Sequence, residues 1–131
     1  MNALCTHCSA KKRHDPSDMP AILRYKSQRI CDVHTAALSL KAGFFILSGK
    51  FGLLRPCYPI PDYDHKLTDP EVEAHSKTVA AQLAESAVDH LVYITQAVAD
   101  DQNLKPYLET IRRACALTSV SLFVLQLPGE E

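Results

Sequence analysis

Three runs along the chain are almost continuously apolar and rich in β-branched and aromatic residues: Phe44-Phe45-Ile46-Leu47, His90-Leu91-Val92-Tyr93-Ile94-Thr95 and Val120-Ser121-Leu122-Phe123-Val124-Leu125. Each has the length of a strand, and unbroken apolar character suits strands covered on both faces, as in parallel sheets. A weaker run over residues 2–5 adds a first strand. Between these runs the period changes from two to about 3.6. Ile30, Val33, Ala37 and Leu40 recur at three- and four-residue steps, with Ser27 placed to cap the helix and Gly43 to stop it. Thr68-Asp69-Pro70-Glu71 has capping-box spacing with an early-turn proline, and the helix it opens carries Val72, Val79 and Leu83 inward. Leu104, Leu108, Ile111 and Cys115 predict a third helix over about 103–117, with Pro106 in its first turn.

The order is therefore βαβαβαβ. Right-handed crossovers then give an α/β fold, a three-layer Rossmann-like sandwich with a mainly parallel sheet of about four strands. In such sheets ligands bind beyond the carboxyl ends of the strands, which singles out residues 8–13, 48–64 and 96–101. The stretch 55–64, with Pro56, Pro59 and Pro61, is long for a plain connection, and Tyr58, Ile60 and Tyr63 argue that it packs.

Composition narrows the classes. At 131 residues and 47% hydrophobic content the chain fits a single α/β domain spanning 1–131. Fourteen Lys and Arg against fifteen Asp and Glu give a formal charge of −1, so a nucleic-acid partner would need a local patch and is not the favoured one. The start has no basic segment followed by an apolar one, and no apolar run is long enough to cross a bilayer. The expectation is a cytoplasmic protein with no membrane partner. Five cysteines, an odd number, read there as core thiols, metal ligands or site residues.

Two segments carry candidate chemistry. In Ser48-Gly49-Lys50-Phe51-Gly52, directly after a strand, Gly49 and Gly52 allow close backbone approach, and Ser48 and Lys50 can hold an anionic oxygen. The spacing is not that of a P-loop. A plain turn with a solvated lysine reads equally well. In Pro61-Asp62-Tyr63-Asp64-His65-Lys66, two carboxylates flank a tyrosine, which offers a general acid or base beside a ring able to stack on a planar substrate. A proline-led turn is the simpler alternative.

A zinc site is a further possibility, since Cys5-x-x-Cys8 and Cys31-x-x-His34 have the form of a Cys₃His set. Cys8 reads alternatively as a site thiol beside Lys11 and Lys12.

Taken together, Cys5-Thr6-His7-Cys8-Ser9-Ala10-Lys11-Lys12, Pro20-Ala21-Ile22-Leu23-Arg24-Tyr25, Ile46-Leu47-Ser48-Gly49-Lys50-Phe51-Gly52-Leu53-Leu54 and Ile60-Pro61-Asp62-Tyr63-Asp64-His65-Lys66-Leu67 resemble an uncharacterised bacterial domain family with Cys-Ser-x-x-Lys and Ile-Leu-Ser-x-Lys-Tyr/Phe-Gly-Leu motifs. The resemblance covers about the first half of the chain. Leu47-Ser48-Gly49-Lys50-Phe51-Gly52-Leu53-Leu54-Arg55-Pro56 is also similar to a stretch of the peroxide stress protein YaaA family, and Cys8-Ser9-Ala10-Lys11 to an element of archaeosine synthase. The chain is far shorter than those proteins.

The second resemblance implies chemistry on a modified purine-like base, and the favoured expectation is an enzyme acting on a nucleobase, nucleoside or nucleotide by N-glycosidic cleavage or base exchange. Cys8, Ser9, Lys11, Gly49, Gly52, Asp62 and Tyr63 would bind substrate. Ser9, Ser48 and Lys50 would contact its oxygens, Tyr63 would stack on the base, and Asp64 would activate water or stabilise a cationic sugar. The YaaA-like stretch implies an alternative, a non-catalytic DNA-associated stress protein using Lys11, Lys12, Arg13, Arg24, Lys26 and Arg29. A zinc-stabilised protein-interaction module is the third reading.

Overall fold

The computed structural model describes residues 1–128. Strand β1 (Asn2–His7) is buried from Ala3 to His7 and lies at the centre of the sheet. Its side chains alternate between two apolar clusters. Ala3 and Cys5 join one with Phe45, Leu47, Leu91 and Tyr93, while Leu4 joins the other with Phe44, Ile46 and Ile94.

The chain continues through a short β2 (Met19–Pro20), one turn of helix α1 (Ala21–Arg24) and helix α2 (Gln28–Leu40). Ser27 caps α2 as expected, its hydroxyl accepting from Ile30 N at 3.3 Å. Helix α2 turns Ile30, Val33 and Ala37 inward against β1 and β3 (Gly43–Ser48). Leu40, expected on that face, is exposed, and Lys41 in the left-handed region ends the helix before Gly43, which opens β3.

Next come β4 (Gly52–Leu54) and β5 (Pro59–Ile60). A single helical turn at Asp69–Glu71 leads into α3 (Val72–Glu85), with the capping box formed and Val72, Val79 and Leu83 buried. Then follow β6 (His90–Gln96), a turn at Gln102–Leu104, α4 (Lys105–Thr118) and β7 (Ser121–Leu127). Helices α3 and α4 pack on each other. Both bury residues in the cluster that contains Cys5, the opposite one from α2.

Among the described residues the result is a mixed α/β architecture with four helices and a five-stranded, mostly parallel sheet, ordered β4-β3-β1-β6-β7. Strands β3, β1, β6 and β7 run parallel, and β4 folds back antiparallel on β3. β2 and β5 pair separately, Met19 opposite Ile60, and so join the loop after β1 to the proline-rich stretch. The chain leaves β1 to one side and later returns past it to β6, so the winding reverses between the carboxyl ends of β1 and β6. That reversal opens a crevice. Among the described residues no helix is long and apolar enough to cross a membrane.

The outer edge of β4 is closed by one side chain. Gln82 accepts from Leu53 N at 2.6 Å and donates to Phe51 O at 3.0 Å. Gly52 sits beneath it at φ +76°, where an added Cβ would collide with the Gln82 carboxamide. Gly52→Ala is therefore expected to cost about 1–3 kcal/mol in urea unfolding, from backbone strain and loss of this clasp. An unchanged midpoint would show that the edge does not depend on it.

Candidate functional site

A cleft of about 300 Å³ lies where the winding reverses, at the lower end of the range for small-molecule sites. Its lining combines the end of β1 and the turn after it with the segment before α3 and the start of α4. The β1 end is fixed from two sides. Cys8 N donates to Leu47 O at 2.9 Å, and Arg29 of α2 donates to Thr6 Oγ1, to His7 O at 2.8 Å and to Cys8 O at 3.5 Å.

His7 is the most deeply set of the polar lining groups. It is 5% exposed, its Nδ1 is hydrogen-bonded to the buried Thr95 hydroxyl at 3.1 Å, and its ring tilts against Tyr107 with centroids 6.3 Å apart. Burial, with the Arg29 charge nearby, pulls the imidazole down to about 3, so it is neutral at neutral pH. Tyr107 OH accepts from Leu67 N at 3.2 Å, and the Cys8 thiol donates to it at 3.8 Å. Burial pushes the Tyr107 phenol up. The walls are charged: Lys12, Arg29 and Lys66 on one account, Asp64 and Asp101 on the other. Lys66 Nζ donates to Asn103 Oδ1 at 3.1 Å.

A shallower hollow adjoins the cleft and shares Ala10, Lys12 and Asp64 with it, adding His14, Asp62 and Tyr63. Asp62 accepts from or pairs with His14 Nδ1 at 3.0 Å, and that hydrogen bond holds its carboxyl below the usual range. At the far end of the segment His65 Nε2 meets Glu71 Oε2 at 2.7 Å. Glu71, which also accepts from Thr68 N at 2.9 Å and Thr68 Oγ1 at 2.8 Å, is likewise held low, chiefly by Thr68.

Of the residues singled out in the sequence, Cys8, Ser9 and Asp64 line the cleft, and Asp62 and Tyr63 line the adjoining hollow. The others stand elsewhere. Ser48 is fully buried, its hydroxyl accepting from Lys50 N and Phe51 N at 3.1 Å each, so it shapes a turn. Gly49 is packed behind the cleft, where an added Cβ would lie 2.8 Å from Tyr107 OH. Gly52 belongs to the β4 edge. Lys50 Nζ lies 5.4 and 5.9 Å from the Phe51 and Tyr63 ring centroids and does not line the cleft. Lys11 is exposed and serves through its carbonyl, which accepts from Ser9 Oγ at 2.7 Å and Lys26 N at 2.9 Å.

Tyr63 differs from a stacking platform. It is buried, with Phe51 and Tyr25 edge-on to its ring and Lys12 Nζ 4.8 Å over it. Its hydroxyl bridges Ser48 Oγ at 2.8 Å and the buried Tyr25 hydroxyl, and desolvation pushes it up to about 12. Tyr63→Phe is expected to cost about 1–3 kcal/mol, because Tyr25 and Ser48 lose a buried partner. Urea titration of the variant checks this; a loss under about 0.5 kcal/mol would contradict the bridging role.

The proposed zinc set does not assemble. Cys5 points into the α3–α4 cluster, whereas His34 stacks on Phe44, which belongs to the opposite cluster, and Cys31 is exposed on α2. The sheet thus separates Cys5 from Cys31 and His34, which right spacing along the chain cannot repair. Burial also pushes the Cys5 thiol up, away from the thiolate a metal needs. Among the described residues no group of three or more His, Cys, Asp or Glu side chains could hold a metal ion. The basic cluster near the amino end is divided as well. Arg24 is fully buried, Lys12 is buried, and Arg29 binds the end of β1, which leaves Lys11, Arg13 and Lys26 exposed.

Sequence reasoning did not bring His7 or Tyr107 to a small-molecule cleft, reached Asp101 only as the end of the segment after a strand, and put Lys12 and Arg29 on a DNA-contacting patch. His7 carried a usable signal, since it is the residue at the very end of the first strand. Tyr107 lies on a helix and carried none. A second hollow of about 330 Å³ runs along β4 between Tyr58 and Gln82, away from the ends of the parallel strands. No family model, curated protein or solved structure matches the chain.

Proposed function

We propose that the chain is a cytoplasmic enzyme acting on a nucleobase, nucleoside or nucleotide, in the class that cleaves or exchanges an N-glycosidic bond. The sheet and its helices are read as a three-layer Rossmann-like sandwich with the ligand in the crevice at the winding reversal. One observation carries the proposal: a carboxylate, Asp64, a polar turn, Cys8 and Ser9, and the cations Lys12 and Lys66 line a single cleft there.

In this reading Lys12, Lys66 and Ser9 take the anionic oxygens, and Asp64 faces the sugar. The bond between the anomeric carbon and the base nitrogen breaks with its electron pair going to the base. A water oxygen bonds to the carbon, Asp64 takes the proton water gives up, and that proton ends on the base nitrogen. Ser48 and Lys50 support the site by ordering the turn beneath Tyr63, and Tyr63 supports it by packing.

The test is release of free base from a panel of nucleosides and nucleotides, alongside ligand-induced stabilisation against heat. Wild-type protein should be stabilised by at least one member and release its base. Asp64→Asn should retain binding and lose about 100-fold or more in rate. A panel that neither stabilises the protein nor yields free base would reject the reading.

A further inference from the structure

We propose that His7, Tyr107 and Cys8 form a floor that receives the hydrogen-bonding edge of a nucleobase, so that the ligand stands base inward with its phosphate beside Lys12 and Lys66. The inference rests on the function proposed above and adds an orientation and a base-reading residue to it.

The geometry supplies the argument. His7 has one ring nitrogen committed, Nδ1 to Thr95, and its backbone is held by Arg29 through the carbonyl. Nε2 is the atom of that ring left to meet a ligand in the cleft. Tyr107 OH already accepts from Leu67 N and from the Cys8 thiol, so its own O–H is a donor for something else. Burial disfavours the charged forms of His7 and Tyr107 alike.

The floor's side chains offer hydrogen bonds that suit an amide or lactam edge, and the Arg29 guanidinium behind them is engaged by the His7 and Cys8 carbonyls. Lys66 and Lys12 bring cations to the cleft lining, to which Asp64 also belongs. A nucleoside 5′-phosphate laid between the floor and these lysines sets its sugar against Asp64. The volume of about 300 Å³ suits one nucleotide and not a dinucleotide.

The experiment uses protein labelled with ¹⁵N at histidine, assigned through backbone correlations, with GMP, CMP, the free nucleosides and inorganic phosphate as probes. Nucleosides and their monophosphates are expected to shift His7 Nε2 while Nδ1 moves little, and inorganic phosphate alone should leave His7 in place. His7→Gln should weaken nucleoside binding about 10-fold and leave phosphate affinity unchanged. The wild-type spectra decide even if His7→Gln does not fold. Nucleotides that bind and lose their base without moving His7, or inorganic phosphate that shifts it, would overturn the orientation while leaving the enzyme proposal standing. If no probe binds at all, the enzyme proposal itself fails.

Discussion

Replacing Arg24 with alanine is expected to lower stability by about 3–5 kcal/mol, the cost of deleting a large buried side chain that also satisfies backbone acceptors. Arg24 has no exposed surface, and among the described residues no carboxylate forms a salt bridge with it. Its guanidinium instead donates to four carbonyls: Arg13 O at 2.7 Å, Asp15 O at 3.0 Å, Ser17 O at 2.7 Å and Ile60 O at 3.2 Å. Three of these belong to the loop after β1 and the fourth to β5. One planar fork therefore ties together the two segments that flank the cleft. Lysine places its donors at a point and cannot span four acceptors, so Arg24→Lys should recover less than half of the loss. Urea unfolding measures both. A loss under about 1 kcal/mol for Arg24→Ala would mean the loops are held by other contacts.

Acid should weaken the fold through His7. The unfolded chain takes up a proton at His7 near the ordinary value of 6.5, whereas the folded protein does so only near 3. Between those values the unfolded state binds more protons, so stability falls as pH drops. The contribution is complete above pH 6.5, is lost progressively below it, and amounts to about 4 kcal/mol by pH 3. Asp62, Glu71 and Asp89, held low in the folded protein, also lose stability as acid protonates them, but only at lower pH than the first part of the His7 range. His7→Gln should flatten the stability profile between pH 6.5 and about 4.5 and leave the steeper fall beneath it. An unchanged slope in that interval would assign it to another group.

These two residues show where sequence reading stops. Strands β3, β6 and β7 were legible because each is a long apolar run, and α3 was legible because Thr68, Pro70 and Glu71 form a local capping signal. Strands β2, β4 and β5 are two or three residues long, too short for any period to register. The apolar run of β7 suggested cover on both faces, yet β7 lies at the sheet edge and exposes Phe123 and Leu125. Position after a strand did bring Cys8, Ser9 and Asp64 together, because parallel strands end on one side of the sheet. What spacing could not say was which side chains turn outward. Ser48 and Tyr63 satisfy each other's hydroxyl groups inside the protein, and the Cys31–His34 pair lies across the sheet from Cys5. A buried arginine pairing only with carbonyls has no pattern in the chain at all.

The ligand site proposed for this protein is the crevice at the ends of β1 and β6. Amide chemical-shift mapping with a series of nucleoside 5′-monophosphates tests it most directly. Saturable shifts are expected in residues 7–12, 29, 64–66 and 101–107, with the β4 edge silent. Shifts centred instead on the hollow between Tyr58 and Gln82, or no saturable shifts with any member of the series, would contradict it.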